Sequence, residues 1–317
     1  MLDVKPCVPE ETKVLLLVGG KSNERDISLK SGEGVAEGLR ASGFPVTVVD
    51  TAVEGALGRI EGSDCDVIFI CLHGKGGEDG TVQGLCELLE KPYVGPGVLA
   101  SALAMDKERA KVLYGANGLS TPESIVLRRD EAHDLTAVIA AVGEKCVVKP
   151  TTEGSAIGVS IVHDPGELED ALQDAFAIDE SVLVERYIEG TEVTVAVLGN
   201  GKPFALPVIE IVPGNEFYDF EAKYAEGGSQ HICPAHIPDE TAEACKRTAI
   251  LAHEALGCRG VSRSDLIVDA SGTPWILETN TIPGMTSTSL LPDAARAVGI
   301  GFPELCRLMV ELALEPR

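Results

Sequence analysis

The chain has 317 residues, 44% of them hydrophobic, with a formal net charge of −24. That length and apolar content suit two or three globular domains with large cores, not a disordered segment. The acidic balance argues against nucleic acid or an anionic membrane as partner, because each needs a basic face; a nucleotide, which needs only a local cluster of Lys and Arg, stays open. Nine cysteines are scattered without a CxxC pair, which reads as reduced, mostly buried thiols and not as a disulfide framework or zinc site. The start, MLDVKPCVPEETK, carries no apolar signal core. No run approaches the roughly 18 apolar residues of a membrane span, so a cytoplasmic location is expected.

Lys13 to Val18 reads as a buried strand ending at Gly19-Gly20, before a helix from about Ile27 to Ala41. Strands Pro45 to Asp50 and Asp66 to Leu72 follow at βαβ spacing, a doubly wound, Rossmann-like start. No GxGxxG fingerprint is present, so a dinucleotide site has weak support. Chemistry in such sheets gathers at the carboxyl ends of the strands, where Glu24 and His73 lie. His73 opens HGKGGEDG, whose glycines permit a tight loop that a ligand approaches closely. A short strand at Pro92 to Gly95 and a Pro96-Gly97 break place a boundary near residue 97.

One helix is then predicted from about Ala100 to Ala116, carrying Lys107 and closed at Asn117-Gly118. Strand Ser124 to Val126, a helix to about Ala141 and strand Cys146 to Lys149 make an α+β middle region. Lys149 ends its strand beside PTTEGSAIG. An ammonium next to free backbone N–H groups grips phosphate, although this is not a Walker A loop and also fits a plain polar loop. Strands Ser181 to Ile188 and Thr191 to Leu198 form a crossing suited to adenine and ribose. Strand Phe204 to Ile211 precedes a long irregular stretch, 212–233, with Tyr218, Lys223 and Tyr224; that length suits a lid or binding loop. From Pro292 two helices carry apolar stripes, including Leu305, Leu308, Met309 and Leu312.

The most informative stretch is Gly260 to Ser289, a predicted β-hairpin. With Ser271-Gly272 as its tip, antiparallel pairing sets Asp265 opposite Glu278, and Asn280 leaves the same face two residues later. Two carboxylates and an amide oxygen, without Cys or His, suit Mg²⁺. Arg263, two before Asp265, suits a phosphate or a developing oxyanion. The same spacing also fits a solvated hairpin face whose charges pair with one another.

LHGKGGEDGTVQG, MDKERAK, VKPTTEGSAIGVS, VERYIEGTEVTVAVLG, FYDFEAKY, SRSDLIVD and LETNTIPGMTSTSL occur in this order from about Val14 to the C-terminus. Together they resemble the D-alanine–D-alanine ligases of the ATP-grasp superfamily. The resemblance implies a three-domain α/β (α+β) ATP-grasp fold: a Rossmann-like N-terminal domain at 1–97 with the first D-alanine site, a central domain at 98–190, and a C-terminal domain at 191–317 with the metal and second D-alanine sites. It implies ATP-dependent joining of two D-alanines through an acyl phosphate, for peptidoglycan precursors, in a homodimer.

By matching position, Lys107 and Lys149 would hold ATP phosphates, Glu185, Tyr187 and Ile188 would meet adenine, and Glu192 the ribose. Asp265, Glu278 and Asn280 would bind two Mg²⁺ ions, with Mn²⁺ as a substitute. Glu24 would hold the first D-alanine's ammonium and form a clasp with Ser155 and Tyr224. Lys223 and Ser289 would receive the second carboxylate, and Arg263 and the Gly284 N–H would face the tetrahedral oxyanion. Tyr224 favours D-alanine over D-lactate as second substrate. Thr152, where some members carry Arg, and Ser264, where some carry an aliphatic residue, depart from the pattern. Alternatives are another ATP-grasp carboxylate–amine ligase, differing around Glu24, Tyr224 and Ser289, and a regulatory nucleotide binder, which loss of Arg263 or a metal ligand would mark; a dehydrogenase lacks its fingerprint.

Overall fold

The computed structural model describes residues 4–213 and 229–316. Three sheets organise them. The first is parallel, in the order β2-β1-β3: β1 (Val14–Val18), β2 (Val46–Asp50) and β3 (Val67–Ile70), with helices α1 (Arg25–Ala41) and α2 (Ala56–Glu61) between them. All five β1 side chains are buried. Val14, Leu16 and Val18 enter one core while Leu15 and Leu17 enter another, as the two-residue period of a strand requires. The strand expected at Pro92 to Gly95 is a single parallel bridge, Ile68 to Tyr93. It precedes helix α4 (Val98–Met105) and follows α3 (Thr81–Leu88).

The second sheet is antiparallel: β4 (Ser124–Arg128), β7 (Ser181–Arg186), β5 (Cys146–Pro150) and β6 (Ser160–Val162), in that spatial order. Helices α6 (Leu135–Val142) and α7 (Leu168–Ile178) cover one face through Cys146, Val148, Val182 and Val184. Lys149 and Glu185 alternate with these residues and leave by the opposite face.

The third sheet runs β11 (Ser229–Ile232), β10 (Ile209–Pro213), β8 (Gly190–Gly199), β12 (Gly260–Asp269), β13 (Pro274–Asn280), with β9 (Phe204–Ala205) also on β8. The strand expected over Phe204 to Ile211 is thus two pieces, interrupted around Pro207, which has no N–H to give a ladder. Val193, Val195 and Val197 face a core shared with α4, α5 (Lys107–Ala116) and α8 (Asp239–Ala255). Ala196 and Leu198 face the core that also holds α1, α9 (Leu290–Ala297) and α10 (Phe302–Leu314).

The single helix expected over 100–116 is two, because Asp106 caps a new start by accepting the Arg109 N–H at 3.1 Å. Its far end closes as expected: Asn117 is the cap, Gly118 has φ +76°, and Leu119 N–H returns to Tyr114 O. All nine cysteines are free thiols. No helix among the described residues is long and apolar enough to cross a membrane.

Helix α1 lies so close to β1 that a Cβ on Gly32 would fall 2.3 Å from Val18 Cγ1. Gly32→Ala should therefore cost about 1–3 kcal/mol by overpacking, despite alanine's higher helix propensity. Urea unfolding reads this as a lowered midpoint with unchanged slope; an unchanged or raised midpoint contradicts it.

Candidate active site

Two pockets meet between the three sheets, sharing Lys107, Glu153 and Glu278 in their walls. One is lined by Lys149, Glu185, Tyr187, Ile188, Glu192 and Asp265, with apolar Val147, Ile161 and Ile267. The central sheet supplies Lys149 and Glu185 from its uncovered face. Both are buried and paired, Lys149 Nζ lying 2.5 Å from Glu185 Oε1. Burial works to raise the Glu185 carboxyl, but Lys149 and Lys111 outweigh it and hold the group below its ordinary range. Tyr187 is braced from outside, with the Lys145 ammonium 3.7 Å from its ring centre.

Lys107 is the first residue of α5. A cation is poorly placed at a helix N-terminus on dipole grounds. Its ammonium donates to Glu153 O at 2.6 Å and lies 3.6 Å from Glu278, on the wall between the pockets. The loop after β5 is pinned at its start: Thr152 donates both its N–H (3.0 Å) and its hydroxyl (2.9 Å) to Asp179. Farther on, Ser155 (φ +53°) and Ala156 (φ +57°) take left-handed backbone unusual for non-glycine residues.

The second pocket gathers Glu24, His73, Glu78, Ser155, Arg263, Asn280, Gly284 and Ser289. Glu24 ends the loop before α1 yet does not cap the helix with its side chain. Instead its carboxylate accepts the Ser155 hydroxyl. Two glycines make room for it: a Cβ on Gly74 would lie 2.5 Å, and one on Gly154 3.2 Å, from Glu24 Oε2. Ser289 is the N-cap residue of α9, and its Oγ accepts the Thr286 N–H at 3.0 Å. Gly284 leaves that oxygen room, since a Cβ there would come 2.8 Å from it.

The hairpin between the pockets has the expected register at the site: Asp265 opposes Glu278, and Arg263 opposes Asn280. Near the tip the pairing is one residue different, Ile267 to Trp275, and a bulge after Asp265 restores it. Residues 270–272 form a three-residue turn, with Gly272 at φ +83° and its N–H on Asp269 O. Arg263 grips Asp265 with two bonds, 3.0 and 2.8 Å, and Thr194 Oγ1 donates to the same carboxylate at 2.6 Å. Asn280 Oδ1 accepts the Ile282 N–H at 2.9 Å. Two carboxylates and an amide oxygen, with no thiol or imidazole on this face, are a donor set that fits a hard divalent cation.

Fourteen of the sixteen expected site residues thus line the two pockets; Lys223 and Tyr224, with all of 214–228, lie outside the described residues. Two buried charges went unnoticed in the sequence. Lys111, four residues after Lys107, faces Glu185 at 2.8 Å. Glu78, in the glycine loop, accepts the Gly74 N–H at 2.7 Å. Burial, and then the neighbouring Glu24 carboxylate, push Glu78 up to about 8. Burial pushes His73 down to about 4, so its ring is neutral near pH 7.

Because Glu78 holds a proton in the folded state but loses it near 4.5 when unfolded, its contribution to stability declines as pH rises through that window. Glu78→Gln keeps an acceptor for Gly74 and removes this slope. Its Tm relative to wild type should rise between about pH 5 and 8; a difference independent of pH contradicts the assignment.

Residues 113–311 match the family described as D-ala D-ala ligase C-terminus, and residues 52–96 match D-ala D-ala ligase N-terminus. The D-alanine–D-alanine ligase of Pelotomaculum thermopropionicum is 48% identical over 309 residues, covering 96% of this chain and 97% of that protein. Among solved structures, the D-alanine–D-alanine ligase from Bacillus anthracis complexed with ATP superposes with a TM-score of 0.84 at 32% identity, covering 96% of this chain and 97% of that one. The VanG D-Ala:D-Ser ligase from Enterococcus faecalis gives 0.82 at 31% identity, covering 96% and 99%. With this fold, these paired pockets and that coverage, the chain belongs to the D-alanine–D-alanine ligase family and has its ATP-grasp fold.

Proposed function

We propose that this chain joins two D-alanines into D-alanyl-D-alanine at the expense of ATP, releasing ADP and phosphate, as a step toward peptidoglycan. The observation that carries the reading is the common wall of the two pockets. Lys107 and Glu278 line both pockets, which supports a nucleotide's terminal phosphate meeting an amino-acid carboxylate there.

A carboxylate is a poor electrophile. Its oxygen attacks the γ-phosphorus, the bond to ADP breaks, and an acyl phosphate results. The amine of the second D-alanine then attacks the carbonyl carbon, loses a proton, and expels phosphate. Lys107 and Lys149 are assigned to the phosphates, Tyr187 and Ile188 to adenine together with Glu185, and Glu192 to the ribose. Glu24, held by Ser155, is assigned to the first ammonium. Ser289, at the N-terminus of α9 where the helix end favours an anion, is assigned to the second carboxylate with Lys223. Arg263 and the Gly284 N–H are assigned to the oxyanion, and Tyr224 to the Glu24–Ser155 clasp.

Asp265, Glu278 and Asn280 would hold Mg²⁺, two ions in this reading, with Mn²⁺ as a substitute; bound there, the metal supplies positive charge at the transferring phosphoryl group. We further assign domains at 1–97, 98–190 and 191–317, with α4 and α5 packed on the C-terminal sheet. A cytoplasmic homodimer completes the reading.

The test is phosphate release with ATP and Mg²⁺ plus D-alanine, L-alanine, D-serine or D-lactate, with mass detection of product. D-alanine alone should support release and yield the dipeptide, and chelating the divalent cation should stop it. Arg263→Ala should lower kcat/KM by about 10²–10³. ATP binding without turnover on D-alanine would overturn the reading, and product only when D-serine or D-lactate is added would reassign the second substrate.

A further inference from the structure

Lys111 is a buried cation with no part in the scheme above. It lines neither pocket, and its side chain is 6% exposed. Its ammonium lies 2.8 Å from Glu185 Oε2 while that of Lys149 lies 2.5 Å from Glu185 Oε1. Lys111 Nζ also donates to Thr121 Oγ1 at 2.9 Å, and that hydroxyl donates to Ile276 O of β13 at 2.9 Å. The ammonium is thereby held between α5, β7 and the hairpin strand that ends in Glu278 and Asn280.

One lysine would already neutralise Glu185. The second leaves the cluster with one net positive charge beneath the nucleotide pocket, in a place where burial opposes the charged form of Lys111 and Glu185 favours it. Burying an ammonium costs several kcal/mol before its partners repay it, so a merely structural pair gains nothing from the addition. The arrangement makes sense if Lys149 has to be shared. When Lys149 turns from Glu185 to an incoming phosphate, a carboxylate served by one lysine would be left buried and alone. With Lys111 in place it keeps a partner.

We propose that Lys111 is a positioning residue for nucleotide binding: it is the standing counter-ion of Glu185, which leaves the Lys149 ammonium available to the phosphates of ATP. This rests on the assignment of Lys149 to ATP. Lys111 touches no substrate, and its effect passes through Glu185 to Lys149. D-alanine binding, on the far side of Lys107, does not depend on it.

The test is a double-mutant cycle on the full chain, with ATP affinity measured calorimetrically in Mg²⁺ and with KM for D-alanine measured alongside. Lys111→Met should weaken ATP binding about tenfold and move the D-alanine KM less than about twofold. In a Glu185→Gln background, where no carboxylate competes for Lys149, the same substitution should change ATP affinity less than about twofold. Lys111→Gln, which keeps a hydrogen-bond donor without the charge, serves if the methionine variant does not fold and should show the same loss. Equal losses in both backgrounds, or none in either, overturn the proposal. Lys149→Met separates the two layers. If it weakens ATP binding while Lys111→Met does not, only the role of Lys111 fails; if it leaves ATP binding unchanged, the phosphate assignment fails and this inference with it.

Discussion

The pairing of Asp265 with Glu278 across β12 and β13 is the constraint on which the site depends. It brings two carboxylates together at the junction of two pockets, and the strand period then fixes their neighbours. Arg263 and Asn280 must follow on the same face, two residues along each strand. A slip of one residue would turn Arg263 and Asp265 into the apolar layer that holds Leu266 and Val268. The bulge after Asp265 is therefore part of the site: it reconciles a three-residue turn at 270–272 with the register that the carboxylates need.

Around this hairpin the fold gathers several charged side chains in ion pairs. Arg263 lies on Asp265, Lys107 near Glu278, and Lys149 and Lys111 on Glu185. Such clusters contribute little net stability. In the proposed reaction their value lies in preorganisation: Arg263 and Lys107 are held in place before substrate arrives, and Lys149 has only to turn from Glu185. The uncharged supports have the same character. Tyr114 donates to Thr279 at 2.8 Å and Thr279 meets Ser264 at 2.9 Å, so a hydroxyl chain ties α5 to both hairpin strands. Ser264, which stands where some members of the family carry an aliphatic residue, supplies one link of that chain.

Much of this was legible in the sequence because it is local. Two strand-forming runs around Ala-Ser-Gly announced the hairpin, and Lys149 at a strand end beside a Gly/Ser/Thr loop marked a residue that the fold sets in a pocket wall. The register at Asp265 was read correctly through a two-residue turn, although the turn has three residues and the bulge compensates. The break at Asp106 had a visible signal, an Asp able to cap, and the interruption around Pro207 another, a proline inside a strand pattern. What stayed hidden depends on packing between distant segments. Nothing local distinguishes Lys111 from a solvated lysine on α5, because Glu185 is 74 residues away. Glu78 likewise reads as an exposed loop carboxylate until Glu24 arrives beside it from another loop.

If the pockets meet so that a phosphoryl group passes from nucleotide to carboxylate, the oxygen atoms of the first D-alanine report on it directly. With D-alanine carrying ¹⁸O in its carboxylate, turnover with ATP should place one ¹⁸O per dipeptide in the released phosphate, seen by mass spectrometry or by its ³¹P shift. Dipeptide formation with unlabelled phosphate would contradict the account, since the carboxylate would then have been activated without receiving the phosphoryl group.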